Sequence, residues 1–317
     1  MLWYSLAIVA GIALLVWSAD RFVDGSSATA KYLGVSPLFI GMVVIGFGTS
    51  APEMIVSALA ALDGAPALAL GNAYGSNIAN IALILGVTAV IAPVAMQSQI
   101  VRKEIPILIG ISFLSFALLY NGELSRFEAS CLLLVFAGYL AWAIRSAKHS
   151  KGDVLGDEIA LEIPTLSKGM GYFWVGAGLL LLIGSSRLLV WGAVGAAEYF
   201  GVSDLIIGLT VVAIGTSLPE LASSIVAARK GEHDIALGNV IGSNFFNTLV
   251  VVGIAGMIAP APVAPDLLTR DIPVMLILTS SLIVLALRGR NRSEISRGEG
   301  AFLVSAFVAY NTWLIYT

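Results

Sequence analysis

The sequence predicts an all-α integral membrane protein with ten transmembrane helices, arranged as two inverted repeats of five helices each. Three observations predict this fold: an apolar composition, long apolar runs along the whole chain, and an internal repeat with an odd number of helices per copy. Hydrophobic residues fill 58% of the 317 positions and charged residues only 12%, whereas a soluble domain carries about 25% charged residues. Most of the chain is therefore expected to lie in lipid.

Apolar runs are separated by charged or turn-rich breaks, and they approach the roughly 20 residues that cross a hydrocarbon core of about 30 Å. The first run has no basic residue before it and no small-residue cleavage site after it, so we expect a retained helix and not a signal peptide. The runs predict helices at 2–19, 34–61, 67–92, 104–120, 125–145, 170–192, 202–228, 234–259, 271–288 and 299–316.

Basic residues lie mainly on one side of this predicted topology. Fourteen of the 17 lysine and arginine residues fall in the connections that follow odd-numbered helices. Because basic loops stay in the cytoplasm, we expect a multi-pass protein of the cell (inner) membrane with both termini outside the cytoplasm. The segment 151–168 is then a cytoplasmic linker between a first repeat at 1–150 and a second at 169–317.

The internal repeat is visible in the sequence itself. Positions 34–86 align with 201–253 without a gap, and 25 of those 53 positions are identical. The two segments are offset by 167 residues. We call the pairing of each residue with the one 167 positions later, along both halves, the repeat register. Since each copy holds five predicted helices, the second copy enters the membrane in the opposite direction. Inverted-repeat transporters place their transport site near the bilayer midplane, where matching broken helices of the two halves meet. Residues shared by both halves are therefore the first candidates for a site.

Two polar motifs occur once in each half. The first, Gly-Thr-Ser-x-Pro-Glu, ends in Glu53 and in Glu220. The second, Gly-Asn-x-x-Gly-Ser-Asn, is followed three residues later by Asn80 and by Asn247. Hydroxyl and amide side chains four residues apart share one face of a helix, so four oxygen-bearing patches are expected to converge.

The two glutamates are the strongest candidates for function. A carboxylate in the middle of a span costs about 2.5–3.5 kcal/mol on insertion scales, so it marks function by default. The proline before each glutamate removes a backbone donor and opens the helix, which is expected to free carbonyls such as those of Gly46 and Ala213 for a ligand.

The predicted ligands are carboxylate, hydroxyl, amide and carbonyl oxygens without histidine or thiolate, a set that suits hard cations such as calcium and sodium. Two carboxylates neutralise one calcium ion or two sodium ions, so a third sodium ion would make an exchange electrogenic. Other repeated polar residues are equally typical of helix packing. The pattern leaves ion binding and packing open for Ser57 with Ser224, Asn72 with Asn239, and Asn77 with Asn244.

These motifs, each present twice with the same spacing, resemble the α-repeats of the sodium/calcium exchanger (cation/calcium exchanger) superfamily, most closely its compact prokaryotic members. The resemblance covers essentially the whole chain. It implies sodium/calcium antiport by alternating access, with four cation sites between helices 2, 3, 7 and 8 and with helices 1 and 6 sliding across that core. It also implies that Glu53 and Glu220 are the main calcium ligands. The further ligands that it implies are Thr49, Ser50, Ser76, Asn80, Thr216, Ser217, Ser243, Asn247 and the carbonyls of Gly46 and Ala213.

One position departs from part of that superfamily. Some relatives carry aspartate where this chain has Asn247, and potassium-dependent exchangers resemble those relatives, so potassium independence is expected. The Gly-Asn-Ala-x-Glu motif of the proton/calcium branch is absent from the sequence, which favours sodium coupling and leaves calcium/proton antiport as the alternative.

Other classes are less well supported. The predicted spans hold no serine/histidine dyad or catalytic aspartate pair of an intramembrane protease, so no enzyme is expected, and a passive cation channel stays open as a third possibility. We expect a monomer whose partners are calcium ions, sodium ions and the lipid bilayer, with no nucleic acid and no resident cofactor.

Overall fold

The computed structural model describes residues 2–96, 100–149, 166–199, 213–288 and 294–316. This part of the chain is helical almost throughout, which confirms the all-α class. Its helices are α1 (Leu2–Leu33), α2 (Pro37–Thr49), α3 (Ala51–Leu62), α4 (Pro66–Ile91), α5 (Ile105–Leu119), α6 (Arg126–His149), α7 (Lys168–Tyr199), α8 (Ala213–Thr216), α9 (Leu218–Arg229), α10 (His233–Ile258), α11 (Ile272–Arg288) and α12 (Arg297–Tyr316).

Several of these helices suit a bilayer by length and composition. Among the described residues, six helices are long and apolar enough to cross a membrane, and the bent pair of α2 and α3 makes a seventh span. Two of the six form the interior: 72% of the span in α4 and 83% in α10 is buried by protein, against 28%, 22% and 22% in α1, α6 and α7. The chain is therefore a membrane protein in which α4 and α10 are covered by the other helices.

The predicted ends of the first and sixth helices, at residues 19 and 192, are wrong. Helix α1 continues to Leu33 and α7 to Tyr199. The charges that suggested an earlier end of α1 stay within the helix because they find partners there: Lys230 bridges Asp20 and Asp24. In α7, Gly192 packs against Tyr4, Ile8 and Ala7 of α1, and the helix continues past residue 192 in contact with α1.

The second predicted helix, 34–61, is broken. Helices α2 and α3 meet at an angle of 43°, and the backbone at Ser50 leaves the helical region with φ −81° and ψ 3°. Pro52 explains the break, because it lacks an N–H and its ring clashes with the preceding turn. Of the predicted helix 202–228, residues 202–212 lie outside the described residues, and the remainder is broken at Ser217, with φ −93° and ψ 8°.

Five π-helical turns lie in or next to the spans of the described residues. Such turns widen a helix locally and are frequent at functional sites. In the repeat register, the turn that precedes α5 corresponds to the turn that precedes α11, and the turns of α4 and α10 begin at equivalent residues. The five turns are Gly41–Ile45, Ala79–Leu85, Ile100–Glu104, Phe246–Val251 and Leu267–Asp271.

Two short antiparallel ladders in the described part of the chain, which the sequence did not predict, join the halves. Strand β1 (Val94–Ala95) pairs with β4 (Glu294–Ile295), and β2 (Glu123–Leu124) pairs with β3 (Ala261–Pro262). Strands β1 and β3 occupy equivalent positions in the repeat register, so each half contributes the same strand to a different ladder.

Helices α1 and α7 pack along each other through contacts that occur twice. A Cβ on Gly11 would lie 2.9 Å from the Cα of Leu189, and a Cβ on Gly178 would lie 2.9 Å from the Cα of Phe22. Gly11 is equivalent to Gly178 in the repeat register, and Phe22 is equivalent to Leu189. The two long helices therefore form one closely packed pair in which the repeat symmetry is kept.

Candidate ion-binding site

Each glutamate of the first motif is the third residue of a helix that follows a break. Glu53 lies in the first turn of α3 and Glu220 in the first turn of α9, and each is 1% exposed. The free N–H groups and the positive dipole end of a helix N-terminus favour a negative charge. The two breaks therefore place both carboxylates where the backbone offsets part of the cost of their burial.

The two carboxylates are held by reciprocal bonds between the halves. The hydroxyl of Ser50 donates to Oε1 of Glu220 at 3.2 Å, and the hydroxyl of Ser217 donates to Oε1 of Glu53 at 3.3 Å. Each serine stands three residues before the glutamate of its own half, so the two broken helices cross at the carboxylates. Oε2 of Glu53 and Oε2 of Glu220 are buried and have no hydrogen-bond partner among the described residues.

Asn72 and Asn239 tie the broken helices to the interior helices. Nδ2 of Asn72 donates to the Ser57 hydroxyl at 2.9 Å and to the Glu53 carbonyl at 3.3 Å. Nδ2 of Asn239 lies 3.1 Å from the Glu220 carbonyl and within 3.0 Å of two serine hydroxyls, those of Ser223 and Ser224. The two asparagines and their serine partners therefore join helices, and the asparagines bond the backbone of each glutamate.

Thr49 connects the first broken helix to the second interior helix. Its hydroxyl lies 3.0 Å from the Ile45 carbonyl and 3.0 Å from Oδ1 of Asn239. Both neighbours are acceptors, so the single hydroxyl proton points to one of them and the lone pairs of Oγ1 are left to accept a ligand. The bond to Asn239 crosses from one half to the other.

The second motif contributes further buried oxygens. Nδ2 of Asn80 donates to Oδ1 of Asn244 at 3.0 Å, and Nδ2 of Asn77 donates to the Thr248 hydroxyl at 2.7 Å. Oγ of Ser243 and Oδ1 of Asn247 are buried and unpartnered among the described residues. Ser76 is also buried, but no hydrogen bond described for Ser76, Ser243 or Asn247 joins these side chains to the carboxylates.

The backbone at the first break, but not that described at the second, differs from the expectation of a freed carbonyl. The Ser50 N–H donates to the Gly46 carbonyl at 3.1 Å, so that oxygen keeps one lone pair for a ligand. In the second half, the Ser217 N–H donates to the Ile214 carbonyl at 3.1 Å. Ala213 begins the short helix α8 and Thr216 ends it, directly before Ser217.

Hydrogen bonds join Thr49, Asn239, Glu220 and Ser50 in one network. Ser217 and Glu53 form a second bonded pair, which the chain connects to Glu220 through Leu218 and Pro219. Among the described residues, no group of three or more histidine, cysteine, aspartate or glutamate side chains could hold a metal ion. An ion at this site would therefore be held by two carboxylates and neutral oxygens, the set that hard cations prefer.

Sequence reasoning missed the roles of Ser223 and Thr248. Their repeat equivalents are Val56 and Ile81, so the repeat gave no signal for either. It did mark Asn72 with Asn239 and Ser57 with Ser224 as special, but identity alone could not distinguish an ion ligand from a helix-joining residue.

Comparison with known proteins places these features in a family. The sequence profile of the family described as sodium/calcium exchanger protein matches residues 3–145 and 170–316. The putative antiporter CaxA of Alkalimonas amylolytica is 44% identical over 98% of both chains, and the inner membrane protein YrbG of Escherichia coli is 39% identical over 100% of this chain and 98% of its own. A solved structure of the sodium-calcium exchanger NCX_Mj, soaked with zero Na⁺ and Ca²⁺, superimposes with a TM-score of 0.85 at 29% identity over 99% of both chains.

Proposed function

The chain belongs to the sodium/calcium exchanger protein family and is a cation/calcium antiporter of the membrane, and from that premise we propose that it exchanges sodium for calcium at Glu53 and Glu220. The exchange proceeds by alternating access. The observation that carries this proposal is the pair of buried carboxylates, each of which keeps one oxygen without a hydrogen-bond partner among the described residues.

Charge decides which ions fit that pair. Isolated buried carboxylates are unfavourable unless an opposite charge or several donors compensate them. Each glutamate accepts one serine hydroxyl described at the site, and a calcium ion or two sodium ions would neutralise the pair. Counter-transport of a third sodium ion would then move one net charge per cycle, so we propose electrogenic exchange.

The proposed ligands surround this pair. The carboxylates bind calcium, and neutral oxygens complete the shell for calcium or sodium. Those neutral ligands are Thr49, Ser50, Ser76, Asn80, Thr216, Ser217, Ser243, Asn247 and the carbonyls of Gly46 and Ala213. Buried oxygens on Ser243 and Asn247, unpartnered within the described chain, support their inclusion.

Ten spans in two inverted repeats are the proposed architecture. Three observations support an inverted two-fold relation between 1–150 and 169–317. They are the π-helical turns at equivalent positions of the repeat, the two strand ladders that join the halves, and the reciprocal serine–glutamate bonds. The linker 151–168 and the other basic connections lie in the cytoplasm, with both termini on the opposite side of the inner membrane. The name of the Escherichia coli relative supports that membrane.

The experiment is calcium-45 uptake into proteoliposomes with imposed ion gradients. An outward sodium gradient should drive uptake, and a membrane potential set with valinomycin should change its rate because the cycle carries net charge. Uptake driven by a pH gradient in the absence of sodium would replace this proposal with calcium/proton antiport. Uptake without any counter-ion would indicate a passive channel.

A further inference from the structure

The α1–α7 pair follows the repeat symmetry in its internal contacts, but its contacts with the rest of the protein differ between its two ends. At one end, Nζ of Lys230, in the connection after α9, lies 2.7 Å from Oδ1 of Asp20 and 2.6 Å from Oδ1 of Asp24 in α1. The same ammonium donates to the Asp20 carbonyl at 3.2 Å. The Lys230 side chain is 28% exposed and that of Asp24 is 14% exposed, so water screens this triad only in part.

The repeat supplies the same positions at the other end with opposite charges. The repeat register relates Lys230 to Asp63, at the end of α3, and Asp20 to Arg187 in α7. Because both members change sign, an ion pair is again possible, whereas a change in one member alone would give like charges. The register is structural as well, since Ser18 bonds the Leu15 carbonyl and its equivalent Ser185 bonds the Leu182 carbonyl, both at 3.0 Å.

This second pair is not formed in the structure. Asp63 and Arg187 are both exposed, and within the described parts of the chain neither makes an ion pair. Helix α1 packs along α9, but α7 makes no comparable contact with α3 among the described residues. At the Arg187 end, α7 is joined to α8 by a hydrogen bond from the Ser186 hydroxyl to the Gly215 carbonyl at 2.8 Å. Among the described residues, the two ends of the α1–α7 pair therefore differ in that only the Asp20 end is joined to its neighbour by an ion pair.

We propose that Lys230 with Asp20 and Asp24, and Asp63 with Arg187, are reciprocal latches that fix the two access states. This rests on the proposed alternating-access antiport. The Lys230 latch closes the end that the basic connections place in the cytoplasm. When the α1–α7 pair slides to the opposite state, the Lys230 latch opens and Arg187 reaches Asp63, which closes the outer end. Inverted symmetry requires this exchange, because each state is the repeat image of the other.

The test measures the gap at each end in detergent, without transport. In a Cys131→Ala background, one pair of spin labels at Leu33 and Arg229 reports the Lys230 end, and another at Leu62 and Tyr199 reports the Asp63 end. Lys230→Gln should lengthen the first distance and shorten the second, shifting the ratio of the two states by about 1.5- to fivefold, as expected for a partly exposed ion pair. Arg187→Gln should shift that ratio in the opposite direction.

Two controls make the result decisive. Lys230→Arg keeps the charge and should restore the wild-type distances. Lys168→Gln removes a lysine that contacts only the Tyr172 ring among the interactions described, and it should leave both distances unchanged. Shifts of Lys230→Gln and Arg187→Gln in the same direction, or no shift in either, would overturn the latches. Normal shifts in a protein without sodium-driven calcium flux would instead overturn the proposed function and leave the latches standing.

Discussion

The two halves of the molecule agree at the carboxylates and differ where Tyr74 of α4 meets Ser115 of α5. Ser50 and Ser217 make the same bond to the glutamate of the opposite half. Between α4 and α5, the hydroxyl of Tyr74 is hydrogen-bonded to that of Ser115. The second half has Ile241 and Leu282 at the equivalent positions, both buried.

That difference shows which constraints come from the ion and which from packing. Replacing both partners of a buried hydrogen bond with apolar groups of similar shape is nearly neutral, so the Tyr74–Ser115 pair could diverge between the halves. A carboxylate or its serine partner has no apolar substitute if both halves contribute equally to one ion. Equal dependence on the two halves is therefore the property to test.

The largest effect is expected for Glu53→Gln and Glu220→Gln. Each substitution keeps the size of the side chain and one oxygen to accept the serine bond, but it removes one of two charges facing a divalent ion. At an effective dielectric of about 20, one charge at about 2.5 Å from a divalent ion represents on the order of 10 kcal/mol before desolvation is subtracted. Even a small remainder exceeds the ~1.4 kcal/mol that changes affinity tenfold, so both variants should lose sodium-driven calcium-45 uptake.

The halves are equivalent only if both variants fail alike. Thermal unfolding is the control, and it should show folded proteins, since removing a buried charge does not cost stability by itself. Near wild-type uptake in either folded variant would contradict the proposed site, and loss in one alone would contradict the equal contribution of the halves.

The sequence predicted the paired breaks and the glutamates that follow them, because these features occur in both halves. The breaks at Ser50 and Ser217 follow from Pro52 and Pro219, and the glutamates follow the prolines directly. The two strand ladders could not be predicted, since two-residue strands carry no periodic signal. The length of α1 could not be predicted either, because the partner of its charged residue Asp24 is Lys230, which is distant in the sequence.

A smaller effect, unequal between the halves, is expected for the asparagines. Asn239 contacts Thr49, Ser223, Ser224 and the Glu220 carbonyl, and each buried group left unsatisfied costs about 1–3 kcal/mol. Asn239→Leu should therefore lower thermal stability and raise the apparent KM for calcium. Asn239→Asp, which keeps an acceptor for Thr49, should retain more calcium affinity than Asn239→Leu.

The matched variant is Asn72→Leu, whose described bonds reach only Ser57 and the Glu53 carbonyl. It should destabilise the protein less than Asn239→Leu. A greater loss of stability for Asn72→Leu would show that the number of hydrogen bonds made by each asparagine does not determine its contribution to stability.

Milder still are Asn80→Ala and Asn247→Ala, which remove neutral oxygens. A neutral hydrogen-bonding group contributes about 0.5–1.5 kcal/mol net, so calcium affinity should fall by roughly two- to tenfold in each. Isothermal calcium titration of the purified variants measures this, with Glu220→Gln as the reference for a lost charge. A loss as severe as that of Glu220→Gln would mean that the amides do more than complete the shell.

The smallest effect is expected for the removal of potassium, and this expectation rests on the neutral side chain of Asn247. Asn247 lies buried in α10 with an Oδ1 that has no partner among the described residues. An amide oxygen can share in binding an ion, but it adds no negative charge, so Asn247 supplies no carboxylate that would favour the binding of a potassium ion. Replacing potassium with choline on both sides of proteoliposomes should therefore leave sodium-driven calcium-45 uptake unchanged.

Asn247→Asp adds a third carboxylate in the low-dielectric interior, where an uncompensated charge is costly, and it should make calcium uptake sensitive to the concentration of monovalent cations. A strict potassium requirement in the wild-type protein would show that a charged group other than the two glutamates takes part in ion binding. It would then contradict the proposal that the two halves contribute equally to the charge of the site.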